Sequence, residues 1–264
     1  MIRLYYAAVS TKKEPYDIFQ GSSTPFASIA SIASIKVKNM KQIKPEQLVC
    51  MNEKTGTEPL RIDLVYADAA HPENIFKTAL YRPGAQLWLH DILAAIVIDA
   101  ARRAYREWGA VMVLKDGLRS VNAQKAMQET AAAKANPHWC APGPARLLSP
   151  PGAGGHPRGM AVDATLASLD GTEWDMGTHF DYLTTDPAYN PAARSCRDFS
   201  DDVLRARARL EQIFIEAAAA CQQDIVLLPS EWWDFRLPAA FSGQFAPLAD
   251  SDLPPAMRMT DITG

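Results

Sequence analysis

An α+β fold, with a small and mainly antiparallel sheet flanked by helices, is predicted by three features of the 264-residue chain. Two long segments carry helical periodicity, and several short apolar runs end on turn residues. Between the helices lies a stretch too rich in Pro and Gly for helix or central strand. Helices and strands alternate too imperfectly for a doubly wound parallel sheet.

Taken in order, residues 1–50 are read as an N-terminal extension packed on a domain spanning 51–264. The triplet repeat "ASIASIASI" (27–35) is too short for a solenoid unit and is assigned to local structure in that extension. "LRIDLVYAD" (60–68) alternates around Ile62, Leu64 and Tyr66 and predicts a half-buried strand. From Leu87 to Trp108, Leu89, Leu93, Ile96 and Ala100 recur at helical spacing; arginines gather near the end and Gly109 stops the helix. "AVMVLKDGLR" is an apolar strand running into the turn dipeptide Asp116-Gly117.

Residues 137–159 form the Pro- and Gly-rich loop, which leads into a strand over 160–166. A second long helix fits "DDVLRARARLEQIFIEAAAACQQ", with Asp201 and Asp202 at the positive end of its dipole. "DIVLLPSEWWDF" then reads as a strand followed by a turn.

Composition narrows the function. Hydrophobic residues at 48%, charged residues at 22% and a net charge of −3 describe an ordinary globular surface with no basic face, so nucleic acid is not expected as a partner. No apolar stretch approaches the roughly 20 residues that span a bilayer, and no membrane role or export signal is expected. Cys50, Cys140, Cys196 and Cys221 lack CxxC spacing and are read as reduced structural thiols, which points to the cytoplasm, with the periplasm as the alternative.

Chemistry concentrates in two short segments. In "GHPRGMAVDATL", His156 and Asp163 lie seven apart, and a strand over 160–166 sets Asp163 among apolar neighbours. An ionised Asp in such a place needs a cation, a metal or several donors. By themselves the two residues are read more readily as a capping acid beside an exposed histidine. The second cluster, Glu231 with Asp234 in "EWWDF", together with Arg119 after "LKDGL", shifts the reading toward a metal site. His71, His90, His138 and His179 have no ligand spacing; Asp175 is read as a turn residue, and Trp232 and Trp233 as packing.

In order and spacing, "RIDLVYADAAHPENIF", "KDGLRS", "GHPRGMAVDATL", "DMGTHFD" and "EWWDF" resemble the zinc-dependent D-alanyl-D-alanine dipeptidases of the VanX type, over about residues 55–240. The resemblance implies a compact α+β peptidase domain. It implies His156, Asp163 and Asp234 as metal ligands, Glu231 as general base, Arg119 as the cation that stabilises the tetrahedral intermediate, and Asp181 as the holder of the substrate's ammonium group. The implied cofactor is Zn²⁺, with Mn²⁺ or another divalent ion as the alternative. The implied substrate is a small dipeptide, D-Ala-D-Ala or a related peptidoglycan fragment. A catalytically silent metal- or ligand-binding protein on the same fold is the competing reading, and the oligomeric state is open.

The chain departs from the family pattern at three places. The third ligand is Asp234 where the pattern has histidine, which makes the set with a divalent ion neutral instead of +1 and the ion a weaker Lewis acid. Asp234→His is on that ground expected to raise zinc affinity. Gly154 stands where the pattern has serine, and Leu118 and Ser120 flank Arg119 in place of Tyr and Pro.

Overall fold

Among the described residues, seven strands and five helices follow one another in the order β1 (Leu48–Cys50), β2 (Leu60–Ile62), β3 (Trp88–His90), α1 (Asp91–Trp108), β4 (Val111–Asp116), α2 (Val121–Gln128), α3 (Ala131–Ala135), β5 (Ala161–Ala167), α4 (Asp201–Ala220), β6 (Val226–Leu227), β7 (Asp234–Arg236) and α5 (Ala239–Ser242). The computed structural model describes residues 40–143 and 146–261. The triplet repeat and residues 1–39 of the proposed extension lie outside them. Within the span assigned to the extension, β1 pairs antiparallel with β3, Val49 opposite Leu89.

The main sheet has the order β2-β4-β5-β7-β6. Only β2 and β4 run parallel; the other three pairings are antiparallel. The fold is thus α+β with a mainly antiparallel sheet, as expected. Helices α1 and α4 pack on each other. Leu93, Ile96, Val97, Ala100 and Ala104 of α1 and Leu210, Ile213, Phe214 and Ala217 of α4 recur every three or four residues and are buried. Phe214 stacks on Phe235 with ring centroids 3.8 Å apart, which fixes β7 against α4.

Several boundaries differ from those predicted, each for a local reason. The apolar period beginning at Leu87 is not all helix: Trp88–His90 are a strand, and His90 Nδ1 accepts from Ile92 N to cap α1. Gly109 ends that helix at φ 61°, as predicted. Strand β2 stops at Ile62, because the chain turns inward over Val65–Ala67 and buries Tyr66 completely. The stretch after Leu228 does turn, but Asp234–Arg236 return to the sheet as β7. Three residues with one apolar member are too short to show alternation in sequence.

Among the described residues no helix is long and apolar enough to cross a membrane. The four cysteines are free.

Candidate metal and peptidase site

Sheet register builds the site. Asp116 of β4 lies opposite Asp163 of β5, and Asp163 lies opposite Asp234 of β7, so three acids stand in one row across three adjacent strands. All three are buried. Like charges directly across a sheet repel one another, and in a low dielectric each needs a counter-charge.

The outer two have arginines. Arg119 donates through Nε to Asp116 Oδ2 at 2.8 Å and again through Nη2, while Tyr81 Oη (2.6 Å) and Gly117 N (2.8 Å) donate to Asp116 Oδ1. Arg236, two residues along β7 and so on the same face as Asp234, donates through Nε to Oδ1 at 2.6 Å and through Nη2 to Oδ2. The middle acid has no such partner. Its Oδ1 makes no hydrogen bond, and its Oδ2 lies 3.6 Å from Arg119 Nη2.

Into this gap points His156, from the turn before β5. Its Nδ1 is 2.8 Å from Gly117 O, and since a carbonyl only accepts, Nδ1 carries the hydrogen. Nε2 therefore faces the acids, 3.5 Å from Asp163 Oδ1 and 3.3 Å from Asp234 Oδ2. A neutral imidazole would turn a lone pair toward two carboxylate oxygens, so a cation belongs between them: a proton or a metal ion. Burial opposes a charged ring, but Asp163 and Asp234 together raise the His156 pKa to about 10. Burial lifts Asp163 to about 6, while Asp234 is also buried yet held below the usual carboxylate range by Arg236.

The donor set fits a divalent ion. One imidazole nitrogen and two carboxylate oxygens are ligands of the kind zinc accepts, the hydrogen bond from Nδ1 orients the ring, and the orphaned Asp163 oxygen lacks any other partner. At this site the three residues whose ligand atoms all lie within 4.8 Å of one another are Asp116, His156 and Asp163, with Asp234 reaching the group through its 3.3 Å approach to His156 Nε2. Asp116, however, is already engaged by Arg119, Tyr81 and Gly117, and it faces the nitrogen that Gly117 occupies. A further donor group, Asp63, His71 and Glu73, is filled by Lys115, whose Nζ lies 2.7 Å from Asp63, 2.5 Å from Glu73 and 2.8 Å from Glu173.

All six residues singled out in the sequence line one cavity of about 100 Å³: His156, Asp163, Asp234, Glu231, Arg119 and Asp181. Glu231 arrives from the turn before β7, and burial, reinforced by Asp234, Asp163 and Asp181, pushes its pKa well above the ordinary value. Asp181 adopts φ 54°, unusual for a residue with a side chain, and accepts a hydrogen bond from the buried Tyr66 hydroxyl. The Tyr66 ring lies under the Arg119 guanidinium at 5.3 Å and so touches both groups.

Asp116, Tyr66, Tyr81 and Arg236 escaped the sequence reading. In sequence Asp116 reads as a turn acid, although an acid ending an apolar run is the same signal that picks out Asp163. The departures from the pattern have structural counterparts. Ser120 caps α2 and donates to Asp250 Oδ2 at 2.9 Å. Gly154 has φ +84°, and a Cβ there would lie 3.6 Å from Ser149 Oγ and 3.9 Å from Arg236 Nη1, so serine would be strained at this position. Asp175 accepts from Gly177 N at 2.8 Å, as a turn residue does, and His179 lines a different hollow.

Comparison with known proteins agrees with the geometry. The chain is 28% identical over 186 residues to the D-alanyl-D-alanine dipeptidase of Escherichia coli K12, covering 69% of this chain and 81% of that protein. Residues 57–250 match the M15 peptidase family described as D-ala-D-ala dipeptidase, and since that match takes in both acid clusters, the three-strand row and the cavity, the chain belongs to this family of peptidases.

Proposed function

We propose that the protein is a metal-dependent dipeptidase that hydrolyses D-Ala-D-Ala or a related cell-wall dipeptide. The observation that carries this reading is His156 Nε2, set 3.3–3.5 Å from two buried carboxylates with an unpartnered Asp163 oxygen beside it. His156, Asp163 and Asp234 would hold the ion, zinc in the first instance, with Mn²⁺ or another divalent cation as the alternative. When bound, it supplies Lewis acidity toward a water molecule and the scissile carbonyl.

The remaining chemistry falls to the side chains. Glu231 takes the proton from the attacking water and returns it to the departing amine as the C–N bond breaks, and its raised pKa suits both halves of that transfer. Arg119, held by Asp116, presents a fixed positive charge where the carbonyl oxygen becomes negative. Asp181 pairs with the free ammonium group of the substrate. A small cavity and a buried acid for that amine together select a dipeptide over a longer chain. The free thiols suit a reducing compartment, the cytoplasm.

The test is purified protein, metal content by elemental analysis, then a panel of D,D- and L,D-dipeptides with Zn²⁺, Mn²⁺ or Co²⁺ added back. Release of D-alanine from D-Ala-D-Ala that stops on chelation and returns with metal is expected. Metal-loaded protein that cleaves no dipeptide would refute the proposal.

A further inference from the structure

Position 234 carries an acid where the family pattern has a neutral histidine, and the structure places an arginine directly on that acid. Arg236 grips both oxygens of Asp234, which is fully buried, and reaches them because β7 presents residues 234 and 236 on one face. Opposite Arg236 on β5 stands Ala161, a small neighbour, and the Cβ that a residue at 154 would carry falls 3.9 Å from Arg236 Nη1. Ala161 and Gly154 thus leave room for the guanidinium.

Charge completes the picture. His156, Asp163 and Asp234 sum to −2 with the ring neutral, whereas a His-Asp-His set sums to −1. Adding Arg236 returns this site to −1. Each carboxylate oxygen offers two lone pairs, so Asp234 can serve Arg236 with one and face His156 Nε2 with the other.

We infer that Arg236 is a positioning residue and built-in counter-charge that makes the Asp234–Arg236 pair act as a neutral, histidine-like third ligand. This rests on the metal reading proposed above. It also reverses the expectation for Asp234→His drawn from sequence: with Arg236 in place, that change leaves a buried guanidinium beside the dication with no anion of its own.

Zinc affinity, measured by competition with a chromophoric chelator, tests the inference without reference to turnover. The expected order is Arg236→Leu tightest, then wild type and the Asp234→His/Arg236→Leu double variant together, then Asp234→His weakest, with steps of tenfold or more. Arg236→Lys, which keeps the charge, should stay within about threefold of wild type. Circular dichroism confirms folding for each protein, and Arg236→Gln replaces the leucine variant if that one does not fold. Asp234→His binding zinc as tightly as wild type, or Arg236→Leu binding it more weakly, would overturn the inference. His156→Ala is the separate control: unchanged zinc affinity in that variant would refute the metal site itself.

Discussion

Replacing Tyr66 by phenylalanine removes one hydroxyl from the site while leaving its packing in place. The ring touches Phe76, Tyr81 and Phe180 at centroid distances of 5.7–5.9 Å, and none of these contacts involves the oxygen. What is lost is the hydrogen bond that Asp181 accepts within a buried setting. A hydrogen bond to a charged group contributes about 1.5–3 kcal/mol, and a buried carboxylate deprived of its donor bears that cost directly. In a domain of this size each kcal/mol moves the melting temperature by about 2–4 °C, so Tyr66→Phe should melt about 3–12 °C lower. Burial already raises the Asp181 pKa, and loss of the hydroxyl raises it further, which would weaken the hold on an ammonium group proposed for it. KM for D-Ala-D-Ala should therefore rise about tenfold or more, since about 1.4 kcal/mol is a factor of ten, with kcat changed far less. Differential scanning fluorimetry and a D-alanine release assay measure both. A variant with unchanged melting temperature and a KM within twofold of wild type would refute the coupling of Tyr66 to Asp181.

Glu231→Gln should lower kcat by about 10²–10⁴ while metal stoichiometry stays constant; near-normal turnover would remove Glu231 from the proton transfer. In the metal-free protein the His156 pKa is raised to about 10 from its ordinary 6.5, so the stability it contributes is fully present below pH 6.5 and is lost as pH rises through 10. If His156 ligates zinc as proposed, the ion has to displace that proton, so zinc affinity should climb by about tenfold per pH unit between those values, and a flat profile would contradict the charged imidazole. Lys115→Met leaves Asp63, Glu73 and Glu173 facing one another without their cation; a loss of about 3 kcal/mol is expected in calorimetry. Because Glu73 also accepts from Phe180 N at 3.2 Å, KM should rise as the loop bearing Asp181 loosens. A Lys115→Met protein as stable as wild type would show that the cluster is not structural.

What the sequence disclosed depended on how far each signal ran along the chain. Helices α1 and α4 were legible because 18 and 20 residues carry an apolar period with caps at their ends. Residues 88–90 were not, since the two apolar positions of this strand, Trp88 and Leu89, merge with the period of the helix that follows. Asp163 was visible as an acid inside an apolar run, and Glu231 and Asp234 as acids among tryptophans. The row that joins Asp116, Asp163 and Asp234 was invisible, because it is set by register between strands 47 and 71 residues apart in sequence. Arg236 was missed for a related reason: its relation to Asp234 needs position 234 to be strand, and β7 is too short to announce itself. In sequence Tyr66 shows only the alternation of a strand residue, whereas burial turns its hydroxyl into the partner of an acid 115 residues away.

A crystal structure of the zinc-soaked protein, with anomalous data collected at the zinc edge, bears most directly on the shared role of positions 156, 163 and 234. One peak should lie about 2.0–2.2 Å from His156 Nε2 and from an oxygen each of Asp163 and Asp234, with Arg236 still gripping Asp234 and Glu231 facing the open position. A zinc-soaked crystal with no peak beside His156, or with zinc bound there and Asp234 turned away, would contradict it.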